Sequence, residues 1–98
     1  MIGIARQDEV GRVEAEFGDP RVVEALLARA AKTTHCLQYI DPYGDTVFNR
    51  QQLPVLVEEL RAAAAAGDSA LRGRVEALVA FIQPALETPH LYVKFLGE

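Results

Sequence analysis

Apolar and charged residues alternate strictly over Val13-Glu14-Ala15-Glu16-Phe17, the period of a strand with one buried and one wet face. Ile2 and Ile4 alternate in the same way. The polar stretch Gln7-Asp8-Glu9-Val10-Gly11 between them ends in glycine, so residues 2–17 read as a β-hairpin. In this reading Val13, Ala15 and Phe17 face the core, while Glu14 and Glu16 face water. Helical spacing takes over at Val22, Val23, Leu26, Leu27 and Ala30. Asp19 as cap, Pro20 at the first helical position and the cations Arg29 and Lys32 at the end predict a helix running to about Lys32.

Thr33, Thr34, Cys36, Tyr39 and Ile40 suit a strand that stops at Asp41-Pro42, because a proline forces the residue before it into extended backbone. Tyr43-Gly44-Asp45 completes a turn, and Thr46-Val47-Phe48 is a short extended piece. Leu53, Leu56, Val57, Leu60, Ala63 and Ala64 form the stripe of a second helix, ended by Gly67. Its start has two readings: a capping box from Asn49 to Gln52 with Phe48 stapled onto Leu53, or a regular helix beginning only at Pro54 after one loose turn. Asp68 or Ser69 caps a third helix. Its seam is Leu71, Val75, Leu78, Ile82 and Leu86, widened by Val79 and Phe81, with Pro84 kinking or finishing it. A last strand places Leu91, Val93 and Phe95 on one side and His90, Tyr92, Lys94 and Leu96 on the other, ending at Gly97. The order ββαβααβ predicts an α+β fold: a small, mostly antiparallel sheet of about four strands with three helices packed on one face.

Composition narrows the function more than the fold. The 98 residues make one domain, 1–98, and half of them are hydrophobic. The net charge of -4, from 14 acidic against 10 basic residues, argues against nucleic-acid binding, which needs a basic surface. No apolar run approaches the ~18–20 residues that cross a bilayer, so no membrane association is expected. The opening MIGIARQDEV lacks a basic region before its apolar stretch, so no secretory signal is expected. One cysteine, Cys36, makes no internal disulfide, and a cytoplasmic location follows as the expectation.

The densest group of chemically capable residues is Tyr39-Ile40-Asp41-Pro42-Tyr43-Gly44-Asp45-Thr46-Val47-Phe48-Asn49. Asp41 and Asp45 are oxygen ligands of the kind hard cations take, but the spacing fails the calcium-loop template: glycine falls at position four and Gln52 at position twelve. Turn chemistry accounts for the same residues, each Asp side chain accepting nearby backbone N–H groups. Asp41, Tyr43, Asp45 and Asn49 are the candidate binding residues: three acceptors spaced four apart that hold the loop, and a tyrosine presented outward. The segment YIDPYGDTVFN and the closing HLYVKFLG resemble a set of small uncharacterised bacterial proteins, over residues 37–60 and 90–97, about a third of the chain. That resemblance implies no activity; it marks the loop and the last strand as the shared signature.

The remaining candidates read as structure. His35 and His90, with Asp41, make a metal or acid/base site only if the fold brings them together. Cys36 reads as core, since free cysteine is among the most buried residue types; as a nucleophile it cannot use His35 as base, because neighbouring strand residues point to opposite faces, which leaves His90. Glu58-Glu59 and Glu14/Glu16 read as solubilising charge. Arg61, Arg72 and Arg74 gather near the helix–helix turn as a small anion patch. No motif for nucleotide, zinc or serine-hydrolase chemistry is present, so no catalytic residue, metal or cofactor is assigned. The expected function is a non-catalytic binding or interaction module, its partner another protein or a second copy of itself as a homodimer. The alternative is a small metal-binding domain or enzyme built on the Asp41–Asn49 loop.

Overall fold

The computed structural model describes residues 2–29 and 34–97. Four strands form one sheet: β1 (Gly3–Asp8), β2 (Val13–Glu16), β3 (Asp45–Phe48) and β4 (Leu91–Leu96). The sheet order is β2-β1-β4-β3 and every neighbouring pair is antiparallel. Three helices, α1 (Val22–Leu27), α2 (Leu53–Ala65) and α3 (Ser69–Glu87), cover one face, giving the α+β fold in the order ββαβααβ. No helix among the described residues is long and apolar enough to cross a membrane.

The register explains which side chains meet the helices. Ile4 and Thr46 flank Phe95, while Arg6 and Phe48 flank Val93. Ile4, Phe48, Val93 and Phe95 are buried with Val22, Val23 and Leu26 of α1, Leu53, Leu56 and Leu60 of α2, and Leu71, Val75, Leu78 and Ile82 of α3. The rings of Phe48 and Phe95 pack edge to face, centroids 5.7 Å apart. The opposite face is open at Val47 and Glu16, which share one cross-strand row with Lys94 and the buried Ala5. Gly11, in the β1–β2 turn, has a φ of 87°, a conformation glycine adopts without cost.

Several local expectations are corrected. A β-bulge between Arg6 and Gln7 pairs Arg6 with Ala15 but Gln7 with Val13, so the period of two breaks and Val13 turns to the open face, 48% exposed. β1 also runs past Arg6 to Asp8. Arg6 is half-buried: its guanidinium pairs with Glu14, donates to the Phe81 carbonyl at 2.8 Å and lies 4.9 Å over the Phe81 ring. α1 starts at Val22, not Pro20, and ends at Leu27, where the Arg29 N–H drops back to Leu26, a tighter turn; Ala30 to Thr33 lie outside the described residues. Asp19 does not cap α1 as expected from the sequence. Both its carboxylate oxygens face the Arg74 guanidinium of α3, at 2.6 and 2.9 Å.

The strand expected up to Ile40 is absent over residues 34–40. A bend leads into one 3-10 turn, Leu37–Tyr39. The successive N–H groups of His35, Cys36 and Leu37 all converge on the Glu59 carboxylate, at 2.5, 2.8 and 3.0 Å. A strand alternates its N–H directions, so it cannot deliver three in a row to one acceptor. The third strand is instead the short piece at 45–48.

α3 runs through Pro84 to Glu87. The ring removes one intrahelical bond, to the Ala80 carbonyl, on an exposed side where water can replace it. Asp68, not Ser69, is the cap, accepting the Leu71 N–H at 2.8 Å.

Candidate functional site

The loop before β3 is held from three directions. Asp41 Oδ1 accepts the Tyr43 N–H at 2.8 Å, and Thr46 Oγ1 accepts the Asp41 N–H at 3.0 Å. The Gly97 N–H donates to the Gly44 carbonyl at 2.8 Å, tying the end of β4 to the tip of the turn. Gly97 permits this approach because it has no side chain: a Cβ there would lie 2.4 Å from the Asp41 carbonyl oxygen and 2.6 Å from Gly44 N. Tyr43 stands on this fixed turn with 83% of its surface exposed.

The four candidate residues serve different purposes. Asp41 is a local backbone acceptor, as expected. Asn49 is another: its Oδ1 accepts the N–H groups of Gln51 and Gln52 at 3.0 Å each, and Gln52 Oε1 accepts the Asn49 N–H at 2.9 Å. The capping box is therefore formed, and it closes a single turn before α2 begins at Leu53, so each of the two sequence readings describes part of the start. Asp45 is the correction. Its carboxylate lies 3.3 Å from Lys94 Nζ across the β3–β4 pair instead of accepting from its own turn. Asp41 and Asp45 are thereby occupied separately, and no group of three His, Cys, Asp or Glu residues able to hold a metal occurs among the described residues. The segments YIDPYGDTVFN and HLYVKFLG are not two features: β3 pairs with β4 along its whole length.

The histidines have separate partners. The His35 backbone is anchored on Glu59, whereas His90 Nδ1 lies 3.0 Å from Glu9 Oε2 near the β1–β2 turn. His90 has a φ of 65°, the one positive value among described residues other than glycine. It lines a cavity of about 360 Å³ together with Asn49, Arg50, Gln51 and the start of β4.

Glu59 is the residue the sequence reading missed. Burial alone raises a carboxyl pKa, but the backbone N–H groups of His35, Leu37 and Cys36 outweigh that and hold Glu59 below its ordinary value. A signal existed: Glu59 lies three residues after Leu56 and four before Ala63, at the border of the buried stripe. Cys36 is buried and free, its thiol pKa pushed up by burial and by the Glu59 charge, which is the opposite of an activated nucleophile. The expected anion patch is already occupied. Arg61 pairs through two bonds with Glu76, Arg74 with Asp19, and Arg72 donates to the Gly67 carbonyl at 2.7 Å.

No protein-family model, curated protein or solved structure matches this chain. Tyr43, Val47 and Leu96 are the large exposed side chains of the β3–β4 unit, with Tyr39 next to the same loop.

Proposed function

We propose that this chain is a non-catalytic, cytoplasmic protein-binding module whose contact surface is the β3 side of the sheet. The carrying observation is Tyr43, almost wholly exposed on a turn fixed by the Asp41, Thr46 and Gly97 bonds. A tyrosine already held in place loses little entropy when it is covered, and tyrosine is enriched in interfaces. Val47 and Leu96 extend the apolar surface onto the open face, and β3 is an edge strand. The partner is another protein or a second copy of the chain, since exposed sheet edges invite pairing. The metal or enzyme reading of the Asp41–Asn49 loop loses support, because Asp45 is paired with Lys94 and Asp41 and Asn49 accept backbone N–H groups.

Sedimentation of the wild-type chain and of Tyr43→Ala over a wide concentration range tests the self-association form. Concentration-dependent dimerisation that Tyr43→Ala weakens, at unchanged melting temperature, supports it. A monomer at every concentration refutes that form and leaves only a different protein as partner.

A further inference from the structure

A second surface lies at the other end of β3 and β4. There Asn49, Arg50 and Gln51 of the turn before α2 and residues 89–92 line the half-open cavity of about 360 Å³. Its size is at the lower end of small-molecule sites. Its walls divide by chemistry. Pro89, Leu91 and Tyr92 supply an apolar and aromatic side, while Arg50 and Gln51 supply donors. Arg6, Arg61 and Arg74 each hold a carboxylate of this chain, whereas Arg50, like Arg12, Arg21 and Arg72, makes no ion pair with a described residue, and Arg50 is the arginine that lines the cavity. Its guanidinium is a planar fork matched to a carboxylate. The positive end of the α2 dipole lies on the same side and adds to the preference for an anion.

His90 completes the wall at a conformational cost. A side chain at φ 65° is disfavoured, and such strain persists where surrounding structure imposes it. The Glu9 carboxylate lies 3.0 Å from Nδ1, and both side chains are exposed. Glu9 itself does not line the cavity.

We infer that this cavity binds a small organic carboxylate with a flat apolar body, its carboxylate on Arg50 and its body against Tyr92, Pro89 and His90. The cavity shares no lining residue with the Tyr43 surface. Benzoate is the probe, titrated into the ¹⁵N-labelled full chain and followed by amide chemical shifts.

Saturable shifts centred on residues 49–51 and 90–92 are expected. Arg50→Gln should weaken the affinity about tenfold, the usual size of one charge-assisted bidentate contact. Arg50 is exposed, so this variant keeps the fold, and His90→Gly gives a second folded variant that should also bind more weakly. Tyr43→Ala should bind benzoate like the wild type, which separates this site from the protein-binding surface. Absence of saturable shifts at those residues, equal binding by Arg50→Gln, or equal shifts with benzylamine in place of benzoate would overturn the assignment.

Discussion

The N–H of Gly97, just past β4, donates to the carbonyl of Gly44, at the tip of the turn before β3, across 2.8 Å. The contact is backbone on backbone, so neither residue has a flexible side chain that could yield. Gly97→Ala would set a methyl group 2.4 to 2.6 Å from main-chain atoms of residues 41 to 44. The expected loss is about 1–3 kcal/mol, as for other overpacked sites. Thermal unfolding measures it. An unchanged melting temperature would mean that the turn is not held by β4.

Glu59 holds the 35–37 turn through three backbone N–H groups. Glu59→Gln keeps the shape but removes the charge and one acceptor oxygen, and should cost about 1–3 kcal/mol at neutral pH. Glu58→Gln, on the exposed side of α2, should cost almost nothing.

The pH dependence follows from the same carboxylate. The pKa of Glu59 is lowered in the folded chain from 4.5, and that of Asp19 is lowered from 3.8 by its hydrogen bonds with Arg74. A lowered folded pKa means that stabilisation is complete above the ordinary value and is lost as pH falls through the folded one. The chain should therefore lose stability below about pH 4. The gap between wild type and Glu59→Gln should shrink across that window, as followed by urea unfolding at a series of pH values. A gap that stays constant into acid would assign the effect to shape, not charge.

The four loop residues should separate by role. Asn49→Ala removes a capping box and should cost about 1 kcal/mol. Asp45→Ala removes an exposed ion pair with Lys94 and should cost well under about 1 kcal/mol. Tyr43→Ala should leave stability unchanged, because its ring touches mostly solvent. Denaturant midpoints of the three variants check the ranking, and a large loss at Tyr43 would place its ring in the core.

His90→Gly should stabilise the chain by up to about 1 kcal/mol. A left-handed conformation costs a non-glycine residue about 1–2 kcal/mol, and the exposed pair with Glu9 returns less than that. A higher melting temperature is the expected readout. A lower one would show that the imidazole contacts outweigh the backbone strain.

The sequence by itself determined the elements whose causes are local. The alternation in Leu91-Tyr92-Val93-Lys94-Phe95, the Leu71 to Ile82 seam and the Asn49–Gln52 capping box each depend on residues within a few positions of one another. All are present as read. The element order and the α+β class followed from them.

Tertiary structure decided whatever depended on a distant partner. Residues 34 to 40 have the composition of a strand, yet Glu59, over twenty positions away, gathers their N–H groups into a turn. Val13 fits the alternation, yet pairing with β1 introduces a bulge that turns it outward. Asp19 has the right place to cap a helix, yet both its oxygens meet the Arg74 guanidinium of α3. The cavity draws on two segments of chain about forty residues apart, with Glu9 from a third lying 3.0 Å from its histidine. Periodicity reports how a segment faces a core; it does not say which charged or polar group elsewhere in the chain will claim its backbone.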